Sequence, residues 1–209
     1  LGITMVSQGD PFYAFLFMIA GAVLDFFDGF LARLLKADGP LGKELDSLAD
    51  LVTFGVAPSF MLYALSYQIH TWHRFAFIAL AVFSAYRLAK FNIDTRQSQS
   101  FIGVPTPITG IMVMSWAMVD QDNISRLIFD SSIGFVLFCA LISYLLVSEI
   151  PLPSLKLKKG PVKQYSQHLF LLGVGIVSMF VFGWLCIPIF YTLYVLSSIL
   201  INFASKKTT

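Results

Sequence analysis

Charged residues are scarce in this chain, and their scarcity indicates its class. Of the 209 residues, 12% are Asp, Glu, Lys or Arg and 57% are hydrophobic, and the mean hydropathy is +0.77. A soluble domain carries about twice that charged fraction. The net charge of +2 is too small, and the basic residues too dispersed, for a nucleic-acid-binding protein. We therefore predict an integral membrane protein.

Cysteine is also rare, which excludes a disulfide framework. Cys139 and Cys186 both lie in apolar segments, where packing is the favoured role, and neither has the spacing of a metal site. The sequence shows no internal repeat and no separate soluble domain. Because the chain begins at Leu1 rather than at methionine, we expect further residues before it.

Long apolar runs separated by short polar turns predict an all-α, polytopic membrane helix bundle. A span needs about 20 mostly apolar residues, so the chain has room for seven. We place the spans at about 12–35, 41–67, 75–91, 108–119, 132–148, 164–184 and 187–204. Residues 1–8 are expected to end an earlier helix, an eighth span in the full-length protein, with a turn at residues 9–11. Pro58, eased by Gly55, is expected to kink the second span.

Four aspartates lie at the adjoining ends of the first two spans. Asp25 and Asp28 are three residues apart, and Asp46 and Asp50 are four apart, so each pair projects from one face of a helix. The break at residues 36–40 lets the second helix fold back, so that four carboxylates converge. Such a cluster repels itself unless cations lie within it, and its oxygen ligands suit Mg²⁺ or Mn²⁺.

The alternative for these acids is helix capping or pairing with neighbouring basic residues, which would explain one aspartate. Four intramembrane acids favour a functional site, because each is costly in a bilayer. Gly29, Ala32 and Gly42 would let a ligand or the other helix approach the backbone. Arg33 is a planar donor suited to phosphate.

Written as D-x2-D-G-x2-A-R-x8-G-x3-D-x3-D, residues 25–50 resemble the signature of the CDP-alcohol phosphatidyltransferase family at every fixed position. The resemblance extends over about residues 12–207 and implies a single transmembrane domain over 1–209 whose first helix is truncated. It also implies transfer of a phosphatidyl group from CDP-diacylglycerol to an alcohol, with release of CMP.

By motif position, the resemblance implies a role for each of these residues. Asp25, Asp28 and Asp46 would be metal ligands, and Asp50 would be the catalytic base and could also touch a metal. The residues that would bind CDP-diacylglycerol are Gly29, Ala32, Arg33 and Gly42. The chemistry fits independently, because a pyrophosphate donor needs divalent cations, two of them in a paired site, and the attacking hydroxyl needs a base.

Residues 87–92 and 101–107 resemble the branch of the family whose acceptor is L-serine. Lys90 stands where that branch has arginine, and Val104 where leucine is commoner. The candidates for binding serine are Arg87, Lys90 and Arg96, with Asn92 as a polar helper. The alternatives are a basic collar at a helix end for residues 87–90 and a rigid helix start for residues 103–107.

The basic residues predict the orientation. If residues 25–50 face the cytoplasm, Arg74 and Arg126 fall on the far side and the other twelve of the 14 basic residues on the cytoplasmic side. Basic loops would also bind anionic headgroups. We expect a multi-pass protein of a prokaryotic inner membrane with its active site facing the cytoplasm, and the resemblance implies a homodimer.

Two other functions stay open at this point. A transferase with glycerol 3-phosphate or inositol phosphate as acceptor would carry a denser arginine cluster beside the aspartates. A cation transporter would use the acids as its ion path, but such sites lie near the bilayer midplane and often occur within repeats.

Overall fold

The computed structural model describes residues 1–35, 39–94, 101–119, 123–152 and 183–206, and nearly all of them lie in helices. The elements in chain order are α1 (Gly2–Gln8), α2 (Pro11–Leu34), α3 (Pro40–Asp50), a π-helix (Leu51–Val56), α4 (Ala57–Leu65), a 3₁₀-helix (Trp72–Phe77), α5 (Ile78–Ile93), β1 (Phe101–Ile102), α6 (Thr106–Ser115), a 3₁₀-helix (Trp116–Met118), α7 (Asn123–Phe129), α8 (Ser132–Val147), β2 (Pro151–Leu152), a 3₁₀-helix (Gly183–Leu185) and α9 (Cys186–Lys206). The predicted all-helical bundle is confirmed, with one short strand pair added.

Four of the described helical segments are long and apolar enough to cross a membrane. They are Pro11–Leu31, Pro40–Leu65, Trp72–Ile93 and Gly183–Leu200. Thr106–Met118 and Ser132–Val147 are shorter apolar helices at two further predicted spans. Most of the predicted span at 164–184 lies outside the described residues. The chain therefore has the helices of a multi-pass membrane protein, and the number seven stays a prediction.

The predicted turn between the first two helices is confirmed. Gly9 ends α1 in the left-handed conformation, with φ 81°, and the next backbone N–H, that of Asp10, donates to the Met5 carbonyl at 2.9 Å. Pro11 then begins α2, where its missing N–H leaves no donor unsatisfied. Val6 of α1 packs with Phe15 and Met18 of α2 in one apolar cluster. Helix α1 is thereby held against the span that carries the first two aspartates.

The second span changes its helical type where the sequence predicted a kink. The π-helix begins directly after Asp50 and ends two residues before Pro58. This segment is also where neighbouring helices come closest. A Cβ at Gly55 would lie 2.9 Å from the Ser84 Cβ of α5, and one at Gly110 of α6 would lie 2.8 Å from the Phe54 carbonyl oxygen. The π-helix therefore fixes α5 and α6 beside the end of α3.

A two-strand strap ties the segment after α5 to the end of α8. In it Phe101 pairs with Leu152 and Ile102 with Pro151, antiparallel. Gly103 follows with φ 75°, and its N–H donates to the Ile150 carbonyl at 3.0 Å. A Cβ at Gly103 would lie 2.7 Å from the Leu146 carbonyl oxygen. Glycine alone adopts this left-handed backbone without strain and leaves room for the Leu146 carbonyl oxygen.

Replacing Gly103 by alanine is expected to lower the free energy of unfolding by about 2 kcal/mol or more, because backbone strain adds to the clash. The measurement is thermal unfolding in detergent. Gly9→Ala is the matched control, since Gly9 also has a positive φ but a Cβ there would meet nothing within 4 Å. Equal losses for the two variants would contradict a cost from the clash.

Candidate active site

The structure brings the two aspartate pairs together, as their spacing predicted. Asp25 lies in the second half of α2, and its carboxyl group is within hydrogen-bonding distance of the Asp46 carboxyl group of α3 and near that of Asp28. Asp50, the last residue of α3, interacts electrostatically with both Asp25 and Asp46. Asp25 and Asp50 are half-buried, whereas Asp28 and Asp46 are exposed. The acids thus form one cluster that is open on one side.

Arg87 of α5 supplies positive charge on the buried side of this cluster. Its side chain is 8% exposed, and its Nη1 donates to the Thr106 Oγ1 at 3.0 Å. The guanidinium interacts electrostatically with Asp50. Within the described ranges, neither the Nε of Arg87 nor the buried Oδ1 of Asp50 has a hydrogen-bond partner. A buried polar atom without a partner is costly, so these two groups are expected to serve a ligand.

The acids fit a divalent cation by the chemistry of their donors. Two carboxyl groups lie in contact and a third carries an unpartnered buried oxygen, and a hard cation with oxygen ligands would neutralise such a set. In the part of the chain that is described, no three acidic, histidine or cysteine side chains are already arranged as metal ligands. Asp28 and Asp46 are exposed, so their side chains can turn toward an ion without repacking the bundle.

The residues expected to bind the donor follow the aspartates along α2 and α3. Gly42 is exposed, and a Cβ there would meet nothing within 4 Å, so the surface beside the acids is open at this point. Gly29 is half-buried and directly follows Asp28. Ala32 and Arg33 lie within α2, and their side chains are outside the described part. Their predicted roles stay predictions.

The predicted serine-binding residues have different surroundings. Arg87 interacts electrostatically with Asp50 of the cluster, whereas the Lys90 Nζ pairs with the Glu149 Oε1 at 3.3 Å. The side-chain amide of Asn92 donates to the Ser47 Oγ at 2.9 Å. Arg96 lies outside the described residues. The structure thus places one of the four against the cluster and gives two of them protein partners.

Sequence reasoning missed the partners of these side chains. Thr106 accepts from Arg87, although the run that contains it was predicted to give a rigid helix start. That run does begin α6. The sequence does hold a signal for this contact, because the Thr106 hydroxyl lies in a Gly-Pro run that follows the helix end carrying Arg87. Ser47 and Glu149 carried no such signal, because their contacts join residues 45 and 59 positions apart in the chain.

Comparison with known proteins gives a consistent result. The family model described as CDP-alcohol phosphatidyltransferase matches residues 1–153. The chain is 38% identical over 144 residues to the CDP-diacylglycerol–serine O-phosphatidyltransferase of Bacillus subtilis. The aligned segment covers 68% of this chain and 76% of that protein. It is 34% identical over 174 residues to the protein of the same name from Helicobacter pylori, covering 77% and 68%. An archaetidylserine synthase from Methanothermobacter thermautotrophicus is 26% identical over 156 residues, covering 73% and 63%.

Proposed function

Because the chain belongs to the CDP-alcohol phosphatidyltransferase family, we propose that it transfers the phosphatidyl group of CDP-diacylglycerol to L-serine, giving phosphatidylserine and CMP. Relatives named for this reaction cover two thirds or more of both chains. The observation that carries the proposal is that buried Arg87, held by Thr106, interacts electrostatically with Asp50 of the aspartate cluster. A cationic fork beside a base is what an amino-acid acceptor with a hydroxyl group requires.

Asp25, Asp28 and Asp46, with Asp50 at the edge of the set, would hold Mg²⁺ or Mn²⁺, two ions in our proposal, which would neutralise the pyrophosphate oxygens and the departing phosphate. Asp50 takes the proton of the serine hydroxyl. The hydroxyl oxygen then forms a bond to the phosphorus of the phosphatidyl group, and the bond from that phosphorus to the oxygen of CMP breaks. The Oδ1 of Asp50 is available for this proton, since it has no partner in the described structure.

Arg87 orients the acceptor in this proposal. Its unpartnered Nε is available to the serine carboxylate while Nη1 is held by Thr106, so the guanidinium is fixed before serine arrives. A fixed donor loses less conformational entropy on binding than a mobile one. Lys90 is paired with Glu149 and would act on serine through its charge. Arg96 remains a proposed contributor from outside the described residues.

The donor would bind along the open side of the cluster, near Gly29, Ala32, Arg33 and Gly42. Phe26, Phe27 and Phe30 of α2 are each at least half exposed at the same level as the acids. An exposed aromatic surface of this kind suits contact with lipid chains, so the diacylglycerol can stay in the bilayer while the nucleotide stays in water. The excess of basic residues on the same side supports a cytoplasmic active site.

The experiment is release of CMP from CDP-diacylglycerol by the purified full-length protein with Mn²⁺ or Mg²⁺. Serine, glycerol 3-phosphate and inositol phosphate are supplied separately. We expect turnover with serine alone. Turnover confined to a phosphorylated acceptor would keep the family and reject serine. Nothing in the relatives or in the described residues favours a transporter, and absence of turnover with every acceptor would reject the proposed reaction.

Arg87→Lys is expected to raise the KM for serine by about tenfold or more, because lysine keeps the charge but loses the planar fork. The KM for CDP-diacylglycerol should change by less than about threefold. Initial rates at varied serine concentration provide the measurement. Arg74→Lys is the matched control. Arg74 lies at the opposite end of the same span from Arg87, and its guanidinium stacks 3.7 Å from the centre of the Tyr63 ring. A serine KM unchanged in Arg87→Lys would contradict the assignment.

A further inference from the structure

Helix α3 carries two of the four aspartates but is not fixed by apolar packing. All of its residues are described, and none of them is buried. Its leucines, Leu41, Leu45 and Leu48, are between 56% and 72% exposed. An amphipathic helix normally takes its rotation from a buried apolar face. The rotation of α3, and with it the direction of Asp46, therefore depends on its continuation into the π-helix and on polar contacts of its side chains.

Those contacts come from the end of α5. The Asn92 Nδ2 donates to the Ser47 Oγ at 2.9 Å and to the Glu44 Oε2 at 3.4 Å. The Asn92 backbone carbonyl accepts from the Lys43 Nζ at 2.9 Å. These three partners lie on one side of two successive turns of α3. One residue thus joins α5 to α3 through both its side chain and its backbone.

The position of these contacts along α3 matters for the site. Ser47 directly follows Asp46 and stands three residues before Asp50. Fixing the Ser47 side chain toward α5 leaves Asp46 to point toward Asp25, with which its carboxyl group is in contact. A rotation of α3 by one residue, about 100°, would carry Asp46 away from Asp25 altogether. The helix N-terminus does not oppose such a rotation, because Gly39 makes no side-chain cap, so α3 is held by the π-helix at its other end and by the contacts with Asn92.

We propose that Asn92 is a positioning residue for the aspartate cluster and not a ligand of serine. Its amide fixes the rotation of α3 through Ser47, which sets Asp46 and Asp50 against Asp25. To donate a hydrogen bond to serine, the side-chain nitrogen of Asn92 would have to release Ser47 or Glu44 and so loosen the helix that carries the base. The proposal deepens the proposed function and relies on it for the kinetic readout, whereas its structural readout is independent of any reaction.

The test compares Asn92→Ala, Ser47→Ala and the double variant with the native full-length protein. The first readout is hydrogen–deuterium exchange of residues 40–50, with α8 as internal reference. The second is binding of Mn²⁺ measured by its paramagnetic resonance signal. We expect amide exchange in α3 to accelerate by about threefold to tenfold and Mn²⁺ affinity to fall by a similar factor, as the loss of one hydrogen bond predicts. The double variant should be no worse than the more affected single variant.

Ser197→Ala is the matched control for the serine change. The Ser47 and Ser197 hydroxyls each donate within their own helix, to the carbonyls of Lys43 and Tyr194, but Ser197 is on α9, away from the cluster. Exchange in α3 and Mn²⁺ affinity should be unchanged in this control. If Asn92→Ala does not fold, Ser47→Ala carries the test, because it removes the shorter of the two amide contacts.

Two results would overturn the proposal. Unchanged exchange in α3 for both single variants would show that Asn92 does not position the helix. Asn92 would instead be a serine ligand if Asn92→Ala raised the serine KM more than about tenfold and left Mn²⁺ affinity unchanged. In that case Ser47→Ala should change neither the serine KM nor Mn²⁺ affinity. Failure of the proposed function is distinguishable from both, since it appears as absent CMP release by the native protein with serine while the exchange result still stands.

Discussion

Replacing Asp50 by asparagine is expected to reduce CMP release with serine by about a hundredfold to ten-thousandfold, the range for loss of a general base. Asparagine has the same shape, but its amide does not take a proton at neutral pH. The Oδ1 of Asp50 is buried and has no partner in the described structure, so the proposed step loses its acceptor while no protein hydrogen bond at that atom is lost. Single-turnover rates at saturating serine are the measurement.

Two observations make this result specific to the chemical step. Asp10→Asn is the control, because Asp10 is an exposed aspartate that directly precedes the start of α2, far from the aspartate cluster. The rate of CMP release by this variant should be unchanged. Mn²⁺ binding by Asp50→Asn should fall by far less than the rate, since three other carboxylates remain. A rate reduced by less than tenfold would show that another group takes the proton.

Much of the site was predictable because it depends on helical spacing. Intervals of three and four residues put each aspartate pair on one face, and the Gly39-Pro40 break gave the return of the chain. The turn before α2 was predictable in the same way, since a glycine with positive φ and a proline at the first helical position have local causes. These features follow from the chemistry of a few adjacent residues.

The rest depends on contacts between residues far apart in the chain. Gly55 and Pro58 indicate a bend in this span, but the π-helix after Asp50 also depends on close approach to α5 and α6. Asn92 was predicted to help bind serine because residues 87–92 resemble the serine-using branch of the family. Its amide instead reaches Ser47 on α3. Which of two polar partners a side chain takes is decided by packing, and the sequence alone does not contain that geometry.

Asp25→Asn is expected to change activity and stability in opposite directions. CMP release should fall by about a hundredfold or more, because a carboxylate ligand is lost from the proposed metal site. In EDTA, however, the Tm in detergent should rise by about 1–3 °C, since an amide donor replaces a carboxylate against Asp46 and one like-charge repulsion disappears. Activity assays and thermal unfolding with and without Mn²⁺ are the measurements.

The opposite signs separate a metal site from a merely structural cluster. In the native protein Mn²⁺ should raise the Tm, because a ligand bound to the folded state stabilises it, and in Asp25→Asn this increase should be largely lost. Asp130→Asn, an exposed acid between α7 and α8, should alter neither value. A lower Tm for Asp25→Asn in EDTA would mean that the carboxylate itself stabilises the fold. Since acids that repel one another are retained at a cost to the empty protein, a gain in stability on their removal is the property expected of residues kept for a cation.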